Sequence, residues 1–287
     1  MSTPAEARPK RDWTAYAPLD AGPLRQVRAA SADLAEGVRR HRAWRYLAFE
    51  QVKNSYRRTV FGPWWLTAQM TVYVIGLAFI FSQLLGSKIN TFLPYVAVGF
   101  LGYTLLLGIV RDGANVFVGQ AGVIKSTRQP LSSLVLRSVM VELLQFGHNA
   151  VIVLPFFAFG LITPSVWLLL APLSLAVILL NGVLIALWLG PTVARFRDVA
   201  PGIDSILQVI IFFTPVFYQQ SALHGVQAAL IGWNPFTYFI DLLRDPVLGH
   251  HPTVGTAIGA AAFTLANFVL ALVLYSRSRS RLPYWVS

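Results

Sequence analysis

Within the long apolar runs of this chain, Glu142 and His148 are the closest acid–imidazole pair. An acid and a histidine at one bilayer depth can relay a proton. With Ser138, Gln145 and Asn149 beside them, a packed polar cluster near the end of its run is the more economical reading. The amides form a second constellation. Trp65, Gln69, Tyr73, Gly76, Ile80 and Gln83 fall within about 80° of one another on a helical wheel. Asp204, Gln208, Ile211, Pro215 and Gln219 share one face of a later run. Lipid needs no glutamine, so such faces point to a polar path or to hydrogen bonds between helices. The path is the preferred reading.

Other chemistries are missing. The sequence holds no Gly-x-x-x-x-Gly-Lys-Ser/Thr loop, no His-Glu-x-x-His and no Gly-x-Ser-x-Gly elbow. It has no cysteine, which excludes disulfides, thiolate metal sites and a cysteine nucleophile. The acids are few and none pairs on one face. The expectation is a passive transmembrane part, with no catalytic residue, metal or cofactor of its own, that needs energy from elsewhere.

The elements that carry these residues follow from composition. The chain is 55% hydrophobic and only 12% charged, with mean hydropathy +0.59. A soluble domain has about a quarter charged residues. Apolar runs of about 20 residues cross the hydrocarbon layer as helices. Six are read, at about 64–85, 92–112, 136–160, 166–193, 204–219 and 254–275, the fifth being short. Their continuity argues against a β-barrel. The fold class is an all-α polytopic membrane protein. The net charge of +11 does not indicate nucleic acid, because of where it lies. With six spans and the N-terminus inside, 21 of the 23 Lys and Arg face the cytosol, leaving Lys88 and Arg244 outside. That is the positive-inside pattern, with both ends cytosolic and basic patches facing lipid headgroups.

Residues 1–37 show no sustained period and read as a loosely attached cytosolic tail. Residues 38–60 read as an amphipathic interface helix. Trp44, Ala48, Phe49, Val52 and Tyr56 share one arc, and Arg39, Arg40, Arg42, Lys53, Asn54, Arg57 and Arg58 lie opposite. Packing of this helix on a partner is equally compatible. The transmembrane domain is placed at 61–278, with a cytosolic tail at 279–287. Gly182, Ala186 and Gly190, and likewise Gly255 and Gly259, are small residues at intervals of four that let helices approach closely. Asn234-Pro235 and Asp245-Pro246 cut the 220–253 segment into pieces too short to span. Two short re-entrant helices are expected there, shaping an outer gate, with Trp233, Phe236, Tyr238 and Phe239 at headgroup depth. Two cytosolic loops, about 114–135 and 194–198, are basic.

Four local signatures then make a resemblance. They are Tyr56-Arg57-Arg58-Thr59-Val60-Phe61-Gly62-Pro63-Trp64-Trp65; Val123-Ile124-Lys125 with Pro130-Leu131-Ser132; Arg195-Phe196-Arg197-Asp198 followed by Phe212-Phe213-Thr214-Pro215-Val216-Phe217-Tyr218; and Asn234-Pro235-Phe236 followed by Arg244 and Pro246. In this order, over about residues 39–252, the chain resembles the permease subunits of ABC-2 exporters, specifically those of lipid-linked polysaccharides such as O-antigen. The family usually has Leu in place of Phe61, and the first 37 residues match no pattern of it.

The resemblance implies a homodimer in the bacterial cytoplasmic (inner) membrane, with two copies of a separate P-loop ATPase that holds ATP and Mg. The substrate would be a lipid-linked polysaccharide passing along Trp65, Gln69, Tyr73, Gln83, Gln208, Phe212 and Tyr218. Amides would meet sugar hydroxyls, and rings the C–H faces. Lys53, Arg57 and Arg58 would attract the anionic lipid head. Lys125, Arg128, Arg195, Arg197 and Asp198 would couple to the ATPase. A drug or small-lipid exporter of the same family is the second reading. An intramembrane enzyme using Glu142 and His148 on polyprenyl-phosphate glycans is the third.

Overall fold

A computed structural model of the chain describes residues 22–57, 59–62, 64–127, 129–218, 225–226 and 231–286. The positions Arg58, Arg128 and Gln219, most of the 1–37 tail and the first expected re-entrant piece lie outside the described residues. Among those described, every regular element is helical. In chain order they are α1 (Pro23–Arg39), α2 (His41–Ser55), α3 (Trp64–Leu84), α4 (Ile89–Asn115), α5 (Ala121–Ser126), α6 (Leu131–Ala150), α7 (Leu154–Ala158), α8 (Ala171–Arg195), α9 (Val199–Val209), α10 (Pro235–Val247), α11 (Val254–Ser278) and α12 (Leu282–Trp285). Short 3-10 turns join α6 to α7, precede α8, and prolong α9 over Ile210–Phe213.

Five helical stretches among the described residues are long and apolar enough to cross a membrane: Trp64–Leu84, Ile89–Asn115, Leu131–Ala158, Val166–Arg195 and Val254–Ser278. The expected fifth span at 204–219 is not among these five, and its helix has other bounds. Its helix begins earlier, at Val199, and stops at Phe213. At a rise of 1.5 Å per residue this reaches only about 22 Å. The stop has a local cause. Pro215 has no N–H to donate and pushes Thr214 out of the helical region, to φ −113° and ψ 127°.

The bundle is built around α4. Of its apolar window 61% is buried, against 11% for α11, so α4 is the axis and α11 a wall facing outward. The small-residue stripe of α8 makes the α4–α8 contact. A Cβ on Gly182 would touch Ile109, and one on Gly190 would come within 2.8 Å of the buried Phe117 ring. Gly113 of α4 meets Ala186 in the same way. The hydrophobic effect does little between helices in lipid, so close approach and hydrogen bonds hold them together. α8 and α11 show the second device. Asn181 donates to Thr264 Oγ1 (2.8 Å), Asn267 donates to Asn181 Oδ1 (3.0 Å), and Trp188 donates to Asn267 Oδ1 (3.2 Å).

The N-terminal expectations change. Residues 23–39 are not a loose tail but the helix α1, with Ala30, Asp33 and Gly37 buried. The expected single helix at 38–60 is broken at Arg40 and restarts as α2. The Ala48–Val52–Tyr56 edge of α2 is covered by Met140, Val141 and Leu144 of α6, while Phe49 remains exposed. At the other terminus, α12 folds back, burying Leu282 and Val286.

Candidate functional site

At the end of α9 the chain enters backbone that no helix satisfies. Residues 214–218 are irregular, and Thr214, Pro215, Val216 and Phe217 are buried. Such backbone survives in a bilayer only where protein or a cavity satisfies its polar groups. The carbonyls freed here meet side chains. Asn234 Nδ2 donates to Phe213 O (2.9 Å), and Arg244 Nη1 donates to Pro215 O (2.8 Å). Tyr95 OH donates to Tyr218 O (3.1 Å), and Tyr218 OH donates to Phe212 O (3.2 Å). Asn234 also caps α10, accepting the Phe236 N–H at 3.0 Å, with Pro235 at the first helical position. α10 thus begins against Tyr103, roughly 20 Å along α4 by its rise per residue. It then climbs back toward the 163–165 turn, where Gly249 packs.

α10 is therefore a half-helix embedded in the bundle. Phe236 and Phe239 are buried in the α4-centred core, whereas Trp233 is 82% exposed. Asp245-Pro246 does not split the segment, since Pro246 lies in the last turn of α10. Arg244 is 3% exposed, bonded to Asp241, with its guanidinium 3.9 Å from the Tyr95 ring centroid. Gly99 leaves room for it, because a Cβ there would sit 3.2 Å from both Arg244 Nη1 and Val216 O. Next to it, burial and then Asp241 push the Asp245 carboxyl up to about 6, while Arg244, His250 and His251 pull it down.

The predicted conduit residues lie on faces the core leaves open. α3 buries Thr67, Met70, Val74, Ala78 and Ser82, and exposes Trp65, Gln69, Tyr73 and Gln83. On α9 and its extension, Gln208 and Phe212 are exposed and Tyr218 is half-buried. Both segments flank α4. Tyr73 stacks on Phe100 of α4 (6.1 Å), and Phe81 of α3 meets Phe217 (4.8 Å). The two segments thus flank the same helix and meet through Phe81 and Phe217. Asp204, read from sequence as part of that path, instead pairs with Arg111 of α4 at 2.9 Å.

A family model described as ABC-2 type transporter matches residues 42–248. The chain belongs to the ABC-2 type transporter membrane family. Two relatives from Klebsiella pneumoniae, both named O-antigen export system permease protein RfbA, are similar to it. One is 21% identical over 238 residues, covering 78% of this chain and 92% of its own. The other is 24% identical over 200 residues, covering 68% and 76%.

In this ABC-2 chain the remaining predicted residues, those among the described ones, lie on or next to α2, α5, α8 and α9. Lys53 and Arg57 are exposed on and just after α2, with Lys53 3.6 Å from Glu50. Lys125 is exposed on α5, Arg195 is exposed at the end of α8, and Arg197 and Asp198 are exposed between α8 and α9. Arg195 lies over both Phe196 (4.9 Å) and Trp285 of α12 (5.6 Å). Glu142 and His148 do not pair. Glu142 packs against Gly108 of α4, while His148 Nδ1 bonds Leu144 O at 2.9 Å.

Sequence reasoning passed over Tyr95, Asp33 and Trp285. Asp33 had a signal. It is the one acid on the Ala30–Asp33–Leu34–Gly37 edge of α1, at helical spacing among small and apolar residues.

Proposed function

We propose that this chain is the permease subunit of an ATP-driven exporter that moves a lipid-linked polysaccharide across the bacterial cytoplasmic membrane. Two copies pair, and each binds one cytosolic P-loop ATPase, which carries the ATP and Mg. Both termini lie in the cytosol. The observation that carries the reading is the exposed amide-and-aromatic face of α3 and α9 in an otherwise apolar membrane chain. Amides exposed at that depth need polar partners, and paired copies would enclose the two faces around a polar, ring-stacking path. Many weak contacts let a long polymer slide without being trapped. The names of the two Klebsiella relatives support the substrate class. Lys53, Arg57 and Arg58 precede the first span in sequence, and there they would meet the anionic lipid head and membrane lipids. Lys125, Arg128, Arg195, Arg197 and Asp198 would receive the ATPase stroke.

The test is co-purification with a candidate ATPase, reading stoichiometry and hydrolysis stimulated by a glycolipid extract of the host envelope. A two-plus-two complex whose stimulation is lost in Lys125→Glu/Arg128→Glu is expected. A stable chain that recruits no ATPase would overturn the reading. Stimulation by small lipids but not by the glycan-bearing fraction would overturn its substrate.

A further inference from the structure

Helix α5 has six residues, one of them buried, Ile124. A helix this short does not hold itself in water, since nucleation is unfavourable and few bonds repay it. Its position must come from its surroundings. Those surroundings include three elements outside the family match at residues 42–248, namely α1, α11 and α12.

The first attachment is at the exit of the α5 loop. Pro130 leads directly into α6, whose first N–H groups have no partner within the helix. The Asp33 carboxylate takes two of them, Leu131 N (3.2 Å) and Ser132 N (2.9 Å). Negative charge at a helix N-terminus is also favoured by the helix dipole. Ser132 Oγ returns a bond to Asp33 O at 2.7 Å. The same carboxylate accepts Tyr275 OH (2.7 Å) and Arg279 Nη2 (3.1 Å) from α11 and the turn after it. One buried side chain therefore ties α1, α6 and α11 together. Gly37 permits the contact, because any Cβ there would collide with Ser132 Oγ.

The second attachment holds α5 itself. Leu282 (0% exposed) and Val286 (5%) join Ile124 (3%) in one buried cluster, which also contains Ala30, Leu131 and Tyr275. Trp285 reaches across to Arg195, so α12 touches both basic loops.

We infer that α1 and α12 form a brace that fixes α5 against α6 and α11, with Asp33 and Leu282 as its positioning residues. This deepens the proposed function and rests on it for the coupling step. With the brace intact, a push on the Lys125-bearing helix displaces two spans together. Without it, the push is absorbed by a loose loop.

The chain has no cysteine, so Ser126→Cys and Ser205→Cys give a spin-label pair between α5 and α9 without background. In the permease alone, reconstituted in lipid with an excess of unlabelled chain so that only pairs within one chain are read, the parent should show one narrow distance distribution. Asp33→Ala and Leu282→Ala should each broaden it, and Leu282→Met, which keeps the apolar volume, should restore it. An unchanged distribution in both alanine variants overturns the brace, whether or not any ATPase binds. In the complex, both alanine variants should keep assembly and unstimulated ATP hydrolysis. The stimulation by host glycolipid extract should fall by about fivefold or more. A fall in hydrolysis that tracks lost assembly, or a broadened variant with parental stimulation, overturns the positioning role. Failure of the parent to recruit an ATPase counts against the proposed function alone.

Discussion

Asp245 lies where opposite charges converge, with Asp241 and Arg244 on its own helix and His250 and His251 in the turn that follows. Its carboxyl stands at about 6 in the folded protein, raised first by burial and then by Asp241. In the unfolded chain the value is about 3.9. A raised acid favours folding while it is protonated. That contribution is complete below about pH 4 and is lost as pH rises through about 6. Asp245→Asn removes the titration and leaves the neighbours in place. Its melting temperature should match the parent near the acid end and exceed it above about pH 7. A difference between the two that does not change with pH would contradict this. The adjacent Arg244 is different in kind. It is a buried charge kept by an ion pair, a carbonyl and an aromatic face together, and such a group is tolerated only while all its partners remain.

Among elements, the small residues sort themselves by what a methyl group would meet. Gly190 faces the Phe117 ring and Val116, Gly259 faces the Tyr238 ring, and Gly255 meets nothing beyond Thr253 of its own turn. Overpacking a filled interface costs about 1–3 kcal/mol. Gly190→Ala and Gly259→Ala should therefore lower thermal stability in detergent, and Gly255→Ala should leave it within about 0.5 kcal/mol. Equal losses at all three would mean that glycine acts there through the backbone and not through packing. The stripe at 182, 186 and 190 was legible because spacing alone puts small residues on one face. The spans were legible for the same kind of reason, since a continuous apolar run can be read without knowing its neighbours. The fifth was not. Ile210–Phe213 and Val216–Tyr218 are apolar on both sides of Pro215, so hydropathy registers no interruption where the helix ends. α10 was misjudged through its aromatic residues. Phe236 and Phe239 suit an interface as well as a core, and only the depth of Asn234 decides between them. α1 was missed because its meaning lies in contacts with residues about 100 and 240 positions away, Ser132 and Tyr275, which no local period encodes.

At the scale of the molecule, the exposed surfaces of the apolar helices are not alike. α11 turns Ile258, Leu265, Phe268 and Leu272 outward, as lipid requires. α3 and α9 turn Gln69, Tyr73, Gln83 and Gln208 outward, which lipid does not favour. Packing within one chain does not explain these amides, because they lie off the buried faces of their helices. The proposed path between two copies would. The two accounts separate in the variant Gln69→Leu/Gln83→Leu/Gln208→Leu. Leucine is a better lipid-facing residue than glutamine and disturbs no buried contact, so yield and melting temperature should hold or rise. If the face guides a hydroxyl-rich polymer, three lost hydrogen-bonding groups at about 0.5–1.5 kcal/mol each should lower glycan export by about tenfold or more. Recruitment of the proposed ATPase through the basic loops should be unaffected. Export at the parental rate from a folded triple variant would take the face out of the pathway and leave it as a contact surface between copies.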